Sequence, residues 1–153
     1  MLRFELDDLT RPAVVALLEE HLADMYASSP AESVHALDLD ALRAPGIAFW
    51  TAWEGEELRG SGALKTLDGA RVELKSMRTT PGARGRGVGA AMLDHLLAEA
   101  RRVGARTALL ETGSQDFFAP ARRLYERAGF VVREPFDDYV EDPNSVFMEL
   151  ALD

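Results

Sequence analysis

Apolar and polar residues alternate at the start of the chain, and the pattern then changes to helical spacing. Residues 2–6 alternate, which predicts a strand. After them, apolar residues recur three and four positions apart, which predicts a helix that Thr10 caps and Ser28-Ser29-Pro30 ends. Asp38 is expected to cap a further short turn that runs through Arg43.

The next segment has the pattern of antiparallel hairpins. Strands are predicted at 47–53, 58–67 and 71–78, separated by the turn sequences Glu54-Gly55-Glu56-Glu57 and Leu67-Asp68-Gly69-Ala70. Beyond them, helices are expected at 88–103 and 120–128 and short strands at 107–110, 130–132 and 145–152, with Gly129 ending the last helix. The order predicts a single mixed α/β domain over residues 1–153, with hairpins first and one crossover unit in the middle.

Composition narrows the class of protein. Hydrophobic residues make up 47% and charged residues 28% of the 153, which is typical of a globular protein. No apolar run has the roughly 20 residues of a membrane span, and the N-terminus lacks the layout of a signal peptide. The absence of cysteine excludes disulfides and thiolate chemistry, and no metal-ligand spacing is present. We therefore expect a cytoplasmic protein without a metal or a membrane partner.

Charge is distributed unevenly along the chain. The formal net charge is −9, yet residues 71–106 carry eight Arg or Lys against three acidic residues. An acidic chain does not favour non-specific nucleic-acid binding, so no nucleic-acid partner is expected. The basic segment instead suits one compact polyanionic ligand.

The basic segment contains a glycine loop, Arg84-Gly85-Arg86-Gly87-Val88-Gly89, that opens directly into a predicted helix. Glycines let a backbone approach a ligand closely, and a helix start presents free N–H groups to an anion. Two guanidinium groups add charge-assisted contacts to phosphate. The loop therefore predicts a pyrophosphate site.

A dinucleotide fingerprint is one interpretation of this loop. Gly85-x-Gly87-x-x-Ala90 matches its glycine spacing, and Glu111, which ends the next predicted strand, could hold a ribose. The loop, however, begins several residues after its strand, and too little chain remains for a doubly wound sheet. A Walker phosphate loop is excluded because no Gly-Lys-Ser/Thr follows. An NAD(P)-dependent oxidoreductase thus remains a minor alternative.

Two motifs together resemble a known family. Arg84-x-x-Gly87-x-Gly89 is similar to the acetyl-CoA motif of the Gcn5-related N-acetyltransferases, and Leu124-Tyr125 followed by Gly129-Phe130 resembles that family's second signature. Segments 73–79 and 142–148 look like an uncharacterised bacterial branch that acts on small molecules. The resemblance implies a mixed, largely antiparallel central sheet that is splayed in the middle and flanked by helices.

The resemblance also implies a cosubstrate, acetyl-CoA, and the residues that bind it. The strand at 71–79 would offer backbone groups to the pantetheine arm, and the glycine loop would hold the pyrophosphate. The usual asparagine of the second signature is replaced by Phe118, which, with Phe117, is expected to pack against the cofactor arm or to close the acceptor tunnel. The implied cofactor-binding residues are Met77, Arg78, Thr79, Arg84, Gly85, Arg86, Gly87, Val88, Gly89, Phe118 and Arg122.

Catalytic roles follow from the same resemblance. Tyr125 would protonate the departing thiolate, a task for a hydroxyl donor held close to the sulfur. Glu73 lies eleven positions before Arg84, the spacing of the catalytic glutamate in the histone-modifying branch, so it is the first candidate for general base. Glu111 is the second candidate, and a water chain is the third.

The acceptor is expected to be a primary amine of a small molecule, acetylated by direct transfer. Acidic and aromatic groups suit a cationic amine. The candidate acceptor-binding residues are His35, Trp50, Glu111, Tyr139 and Asn144. A non-catalytic CoA-binding module is the other alternative. The identity of the amine, the use of acyl groups other than acetyl and the formation of a homodimer stay open at this stage.

Overall fold

The computed structural model describes all 153 residues. The chain forms seven strands and four helices, and three single turns of 3₁₀ helix connect some of them. In chain order the elements are β1 (Arg3–Leu6), α1 (Pro12–Ser28), α2 (Leu39–Leu42), β2 (Ile47–Glu54), β3 (Glu57–Thr66), β4 (Arg71–Thr79), α3 (Val88–Arg102), β5 (Thr107–Gly113), α4 (Ala119–Arg127), β6 (Val131–Arg133) and β7 (Ser145–Ala151). None of the helices combines the length and apolar character that crossing a bilayer requires.

All seven strands belong to one sheet with the order β1-β2-β3-β4-β5-β7-β6. Every neighbouring pair is antiparallel except β4 and β5, which are parallel. This pair is hydrogen-bonded only between residues 71–74 and 107–110, although β4 continues to Thr79 and β5 to Gly113. The two strands therefore diverge at the centre of the sheet, which confirms the expected splayed, largely antiparallel fold.

An irregularity in β4 lies at the point where the strands diverge. The register between β3 and β4 shifts between Ser61 and Ala63, and Ser76 opposite them has a positive φ of 55°. The Ser61 hydroxyl donates to the Ser76 carbonyl oxygen at 3.1 Å and so holds the distortion. Because a bulge bends its strand, the end of β4 is directed away from β5.

Helices cover both faces of the sheet. In β2, neighbouring residues point to opposite faces, so Phe49 packs with α1 while Trp50 packs on the side of α3. The larger core is built around Met92, Leu93 and Leu96 of α3, each almost fully buried. Packing of α3 on β3 and β4 fixes the position of its N-terminus at the divergence of the strands.

Most predicted boundaries are confirmed within about two residues, and two are wrong. Thr10 does not cap α1: Arg11 is the N-cap residue, and the Thr10 hydroxyl donates instead to Asp8 Oδ1 at 2.6 Å. The strand predicted at 107–110 continues to Gly113, because β7 pairs with it as far as Ser145. Glu111 therefore lies inside β5 and not at its end.

Candidate active site

Two adjoining cavities lie in the opening between β4 and β5. The outer cavity, of about 630 Å³, is lined by the glycine loop, the end of β4 and α4. The inner cavity, of about 110 Å³, is lined by β4, β5 and the segment after α1. Their walls share six residues, namely His21, Met25, Met77, Phe118, Ala121 and Tyr125. A ligand that extends from one cavity into the other must pass between these side chains.

The glycine loop presents free hydrogen-bond donors to the outer cavity. Ala91 is the first residue of α3 whose N–H binds within the helix, to Gly87 O at 3.0 Å, so the three preceding amides have no helical acceptor. Gly85 and Gly87 have φ values of 77° and 80°, and a Cβ at either position would meet no atom within 4 Å. Arg84 lines the cavity, and neither Arg84 nor Arg86 forms a salt bridge. The loop thus has the donors and charge that a phosphate group requires.

The end of β4 forms another wall of the outer cavity. Met77, Arg78 and Thr79 line it, beyond the last pair that β4 makes with β5. The β4 edge that faces β5 is therefore unpaired there, so an extended amide-bearing ligand can bind beside it as an added strand does. The buried Arg78 side chain forms ion pairs with Glu20 and Asp24 of α1. These pairs hold α1 against this wall.

The loop between β5 and α4 is built around two predicted residues, Phe118 and Arg122. Arg122 donates to the carbonyl oxygens of Gly113 and Gln115, at 2.6 and 3.0 Å, and it lines neither cavity. Its position is that of a loop-stabilising residue. Phe118 is buried against Gly113, where an added Cβ would lie 2.1 Å from the ring, and it lines both cavities.

Tyr125 lies at the junction of the two cavities. The residue is only 6% exposed, and its hydroxyl makes no hydrogen bond to another protein group. Burial, followed by the charge of Glu111, raises the pKa of the phenol above its usual value. The side chain is consequently a neutral donor over the whole working pH range.

Glu111 lies in the wall of the inner cavity, which Tyr125 also lines. The Ser145 hydroxyl donates to Glu111 Oε2 at 2.8 Å. Burial raises the pKa of this carboxyl group to about 7, against smaller opposing effects of Ser145 and Lys75. Because a general base functions best when its pKa is near the working pH, Glu111 is suited to accept a proton at neutral pH.

The raised pKa of Glu111 predicts a pH-dependent cost to stability. The folded state favours the protonated carboxyl group, so stability falls as pH rises from about 4.5 to about 7. A shift of this size corresponds to about 3 kcal/mol. We expect Glu111→Gln to raise the Tm at pH 8 and to leave it unchanged at pH 4, as measured by thermal unfolding. An equal Tm change at both pH values would show that the carboxyl group is not buried as described.

Glu73 lies behind the inner cavity. Its side chain is almost fully buried and lines neither cavity. Tyr139 donates to Glu73 Oε2 at 2.6 Å, and Lys75 Nζ lies 3.2 Å from the same oxygen. Burial, followed by the charge of Glu73, raises the pKa of Tyr139. The role of Glu73 as general base stays a prediction, whereas its contacts are those of a group that orients Lys75 and Tyr139.

The structure brings some of the predicted acceptor residues to the inner cavity. His35 and Asn144 line it, and Tyr139 lies just behind, with its ring 4.9 Å from that of His35. Trp50 does not reach either cavity: its ring packs 4.3 Å from that of His95 on the α3 side of the sheet. The reason is strand alternation, which directs Trp50 away from the face that α1 covers.

Sequence reasoning missed His21. This residue is buried, lines both cavities and has an Nδ1 atom without a partner. Burial lowers the pKa of the imidazole to about 4, so it is neutral at physiological pH. The signal was present in the helical spacing, since His21 follows Leu17 and Leu18 by four and three positions on the buried face of α1.

Comparison with known proteins places the chain among acetyltransferases. The model of the acetyltransferase (GNAT) family matches residues 14–130. An uncharacterized N-acetyltransferase of Bacillus subtilis, YsnE, is 53% identical over 99% of this chain and 100% of its own length. A crystal structure of a putative acyl-CoA N-acyltransferase from Klebsiella pneumoniae superposes with a TM-score of 0.81, at 27% identity over 99% of this chain and 98% of the other. A B. subtilis acetyltransferase solved in complex with CoA gives a TM-score of 0.70, at 21% identity over 99% of both chains.

Proposed function

The chain belongs to the GNAT family of acetyltransferases, and on that basis we propose that it transfers the acetyl group of acetyl-CoA directly to a primary amine of a small molecule. One observation supports this proposal above the others. Tyr125, a neutral proton donor that lines both cavities, and Glu111, a carboxyl group with a raised pKa, lie in the wall of the same inner cavity.

The residues of the outer cavity fit CoA. Free amides at the start of α3, together with Arg84, would hold the pyrophosphate. The unpaired edge of β4 from Met77 to Thr79 would bind the amide groups of the pantetheine arm. This arrangement directs the thioester, which supplies the acetyl group, toward the junction at Tyr125 and Phe118.

Two residues that line the inner cavity, Glu111 and Tyr125, would account for each proton in the transfer. Glu111 would accept a proton from the amine as its nitrogen forms a bond to the acetyl carbon. Backbone N–H groups near Met77 would stabilise the negative charge that develops on the carbonyl oxygen. As the carbon–sulfur bond breaks, Tyr125 would donate its proton to the departing sulfur. No covalent enzyme intermediate is needed, because both substrates meet at one point.

Of the two alternatives raised by the sequence, the oxidoreductase is overturned and the non-catalytic CoA-binding module is still to be tested. Membership of the GNAT family overturns the interpretation as a dinucleotide-dependent oxidoreductase. A CoA-binding module without activity is tested by an acceptor screen that measures release of CoA with a thiol reagent. The chain contains no cysteine, so the protein adds no background. Turnover with a primary amine, and an N-acetyl product by mass spectrometry, supports the proposal; CoA binding without turnover of any amine contradicts it.

The glycine loop gives a prediction for cofactor affinity. In Gly87→Val a branched side chain would project into the open space where the phosphates are expected, and the φ of 80° would be strained. We expect the affinity for acetyl-CoA to fall at least about tenfold, because charge-assisted hydrogen bonds of this kind contribute roughly 1.5–3 kcal/mol. Isothermal titration calorimetry checks the result.

Gly104→Val is the matched control for this substitution. Gly104 follows the other end of α3, has a φ of 89° and also has no atom within 4 Å of an added Cβ. The backbone strain is therefore similar, but Gly104 lines neither cavity. We expect this variant to lose comparable stability and to keep its affinity for acetyl-CoA. Equal affinities in both variants would remove the glycine loop from the binding site.

A further inference from the structure

The inner cavity has an ammonium group in its wall. Lys75 lines this cavity with a side chain that is only 8% exposed. The chain contains just two lysines, Lys65 and Lys75, among its 17 basic residues. Nearly all ion pairs of this protein are thus made by arginine. Lys75, by contrast, is buried beside the proposed reaction centre.

The hydrogen bonds of Lys75 are incomplete. Its Nζ lies 3.2 Å from Glu73 Oε2 and 3.0 Å from the Tyr139 hydroxyl, and no other protein group accepts from it. An ammonium group has three donors, so one donor has no protein partner. Because a buried charged donor is costly to leave unpaired, a ligand that brings an acceptor to this wall is favoured.

The acidic groups near the inner cavity are mostly occupied. Glu73 already accepts from Lys75 and Tyr139. Asp142 accepts from the Ser33 hydroxyl at 2.6 Å and from the Asn144 backbone N–H at 2.8 Å. Glu111 is the carboxyl group that lines the cavity. A polycationic amine would therefore face one carboxyl group and one ammonium group.

The charge of Lys75 acts across the cavity. It contributes to lowering the pKa of His35, after burial, and it opposes the raised pKa of Glu111. A ligand in this small space would be exposed to a positive group at Lys75 and a proton acceptor at Glu111. The two groups are complementary to a carboxylate and an amine on the same molecule.

Building on the proposed function, we propose that the acceptor is a small amino acid or a related zwitterion. Its carboxylate pairs with the free donor of Lys75, and its amine is directed to Glu111 and Tyr125. The volume of about 110 Å³ favours a compact molecule over a long polyamine. Lys75 is then a specificity-determining residue that recognises the group beside the reacting amine.

The test compares free amino acids with their carboxamides in steady-state kinetics. The pairs are glycine with glycinamide, alanine with alaninamide and β-alanine with β-alaninamide, and spermidine represents the polyamines. The amine of a carboxamide loses its proton more easily, so intrinsic reactivity favours the amide. We nevertheless expect kcat/KM to be at least about tenfold higher for the free acid of the best pair, the ratio that a charge-assisted hydrogen bond provides.

Variants assign this preference to Lys75. We expect Lys75→Met to raise the KM of the amino acid about tenfold or more, with little effect on its carboxamide. The double variant Glu73→Gln/Lys75→Met removes both buried charges and should give the same selectivity if the single variant folds poorly. Lys65→Met is the matched control, because Lys65 lines neither cavity, and it should behave as the wild type.

Each outcome distinguishes the two proposals. Equal or better turnover of carboxamides or spermidine by the wild type overturns the zwitterion inference and leaves the acetyltransferase proposal intact. A preference for the acid that survives in Lys75→Met overturns the role of Lys75. Failure of every amine in the panel and in the wider acceptor screen overturns the proposed function, and the inference with it.

Discussion

Replacing Glu111 by glutamine is expected to lower kcat by roughly 10²–10⁴, the range that a positioned general base contributes. Glutamine keeps the shape of the side chain and can still accept from Ser145, but it cannot take a proton from the amine. The acidic limb of the kcat/KM profile, which reports groups of the free enzyme, should also change. In the wild type, activity should rise with pH through about 7, where the Glu111 carboxyl group loses its proton. In the variant this limb should be absent.

Glu73→Gln is the comparison that separates the two candidate bases. Glu73 is buried behind Lys75 and Tyr139 and lines neither cavity, so we expect a smaller loss of kcat and an acidic limb that stays near pH 7. If instead Glu73→Gln abolishes the limb and Glu111→Gln keeps it, Glu73 is the base, as the sequence spacing suggested. Persistence of the limb in both variants would favour a water chain.

Tyr125→Phe should lower kcat by roughly 10²–10⁴ with little change in the affinity for acetyl-CoA. The substitution removes the hydroxyl, which has no protein partner, and keeps the ring that packs 5.8 Å from Phe130. Fold and cofactor site should therefore survive. The measurements are kcat under conditions where chemistry limits the rate and calorimetry with acetyl-CoA.

The pH dependence provides a second measurement on the same variant. Since burial raises the pKa of Tyr125, the wild type should keep its activity beyond pH 10, the usual value for a tyrosine. A loss of activity near pH 10 that is missing in Tyr125→Phe would mean that the phenol is less buried than the structure indicates. A fall in kcat of less than twofold would assign Tyr125 a packing role.

The spacing of apolar residues predicted the helices and strands, because the apolar face of each element is formed by residues that are close together in the sequence. The helix at 88–102 and the hairpins were recognisable from spacing and turn residues alone. The error at Thr10 has a local cause too, since a nearby aspartate, Asp8, competes for the hydroxyl that would have capped the helix. Such competition between two polar neighbours cannot be resolved from the order of residues.

The same distinction applies to the site: residues within short motifs could be predicted from the sequence, whereas residues placed by contacts between distant parts of the chain could not. The glycine loop and Tyr125 were identified within short motifs. The hydrogen bond from Tyr139 to Glu73 joins residues 66 positions apart, and the one from Ser33 to Asp142 joins residues 109 positions apart. Only the folded chain reveals that Lys75 and Glu111 line the inner cavity while Glu73 lies behind it. In β4, the irregularity at Ser76 changes which face of the sheet the following residues point to. Nothing in the sequence around Ser76 predicts a bulge there.

Gly62 lies at the register shift opposite Ser76, where β3, β4 and α3 pack too closely for a side chain. A Cβ at Gly62 would lie 2.8 Å from Leu96 Cδ1, 2.9 Å from Met77 Sδ and 3.0 Å from Met92 Cγ. Those atoms belong to α3, whose N-terminus bears the glycine loop, and to the end of β4 that lines the outer cavity. A side chain at Gly62 would therefore have to displace Leu96 and Met92 of α3 or Met77 of β4, and two of these three residues line the outer cavity. A substitution at this position, which lines neither cavity, would thus reshape the outer cavity from the opposite face of its wall.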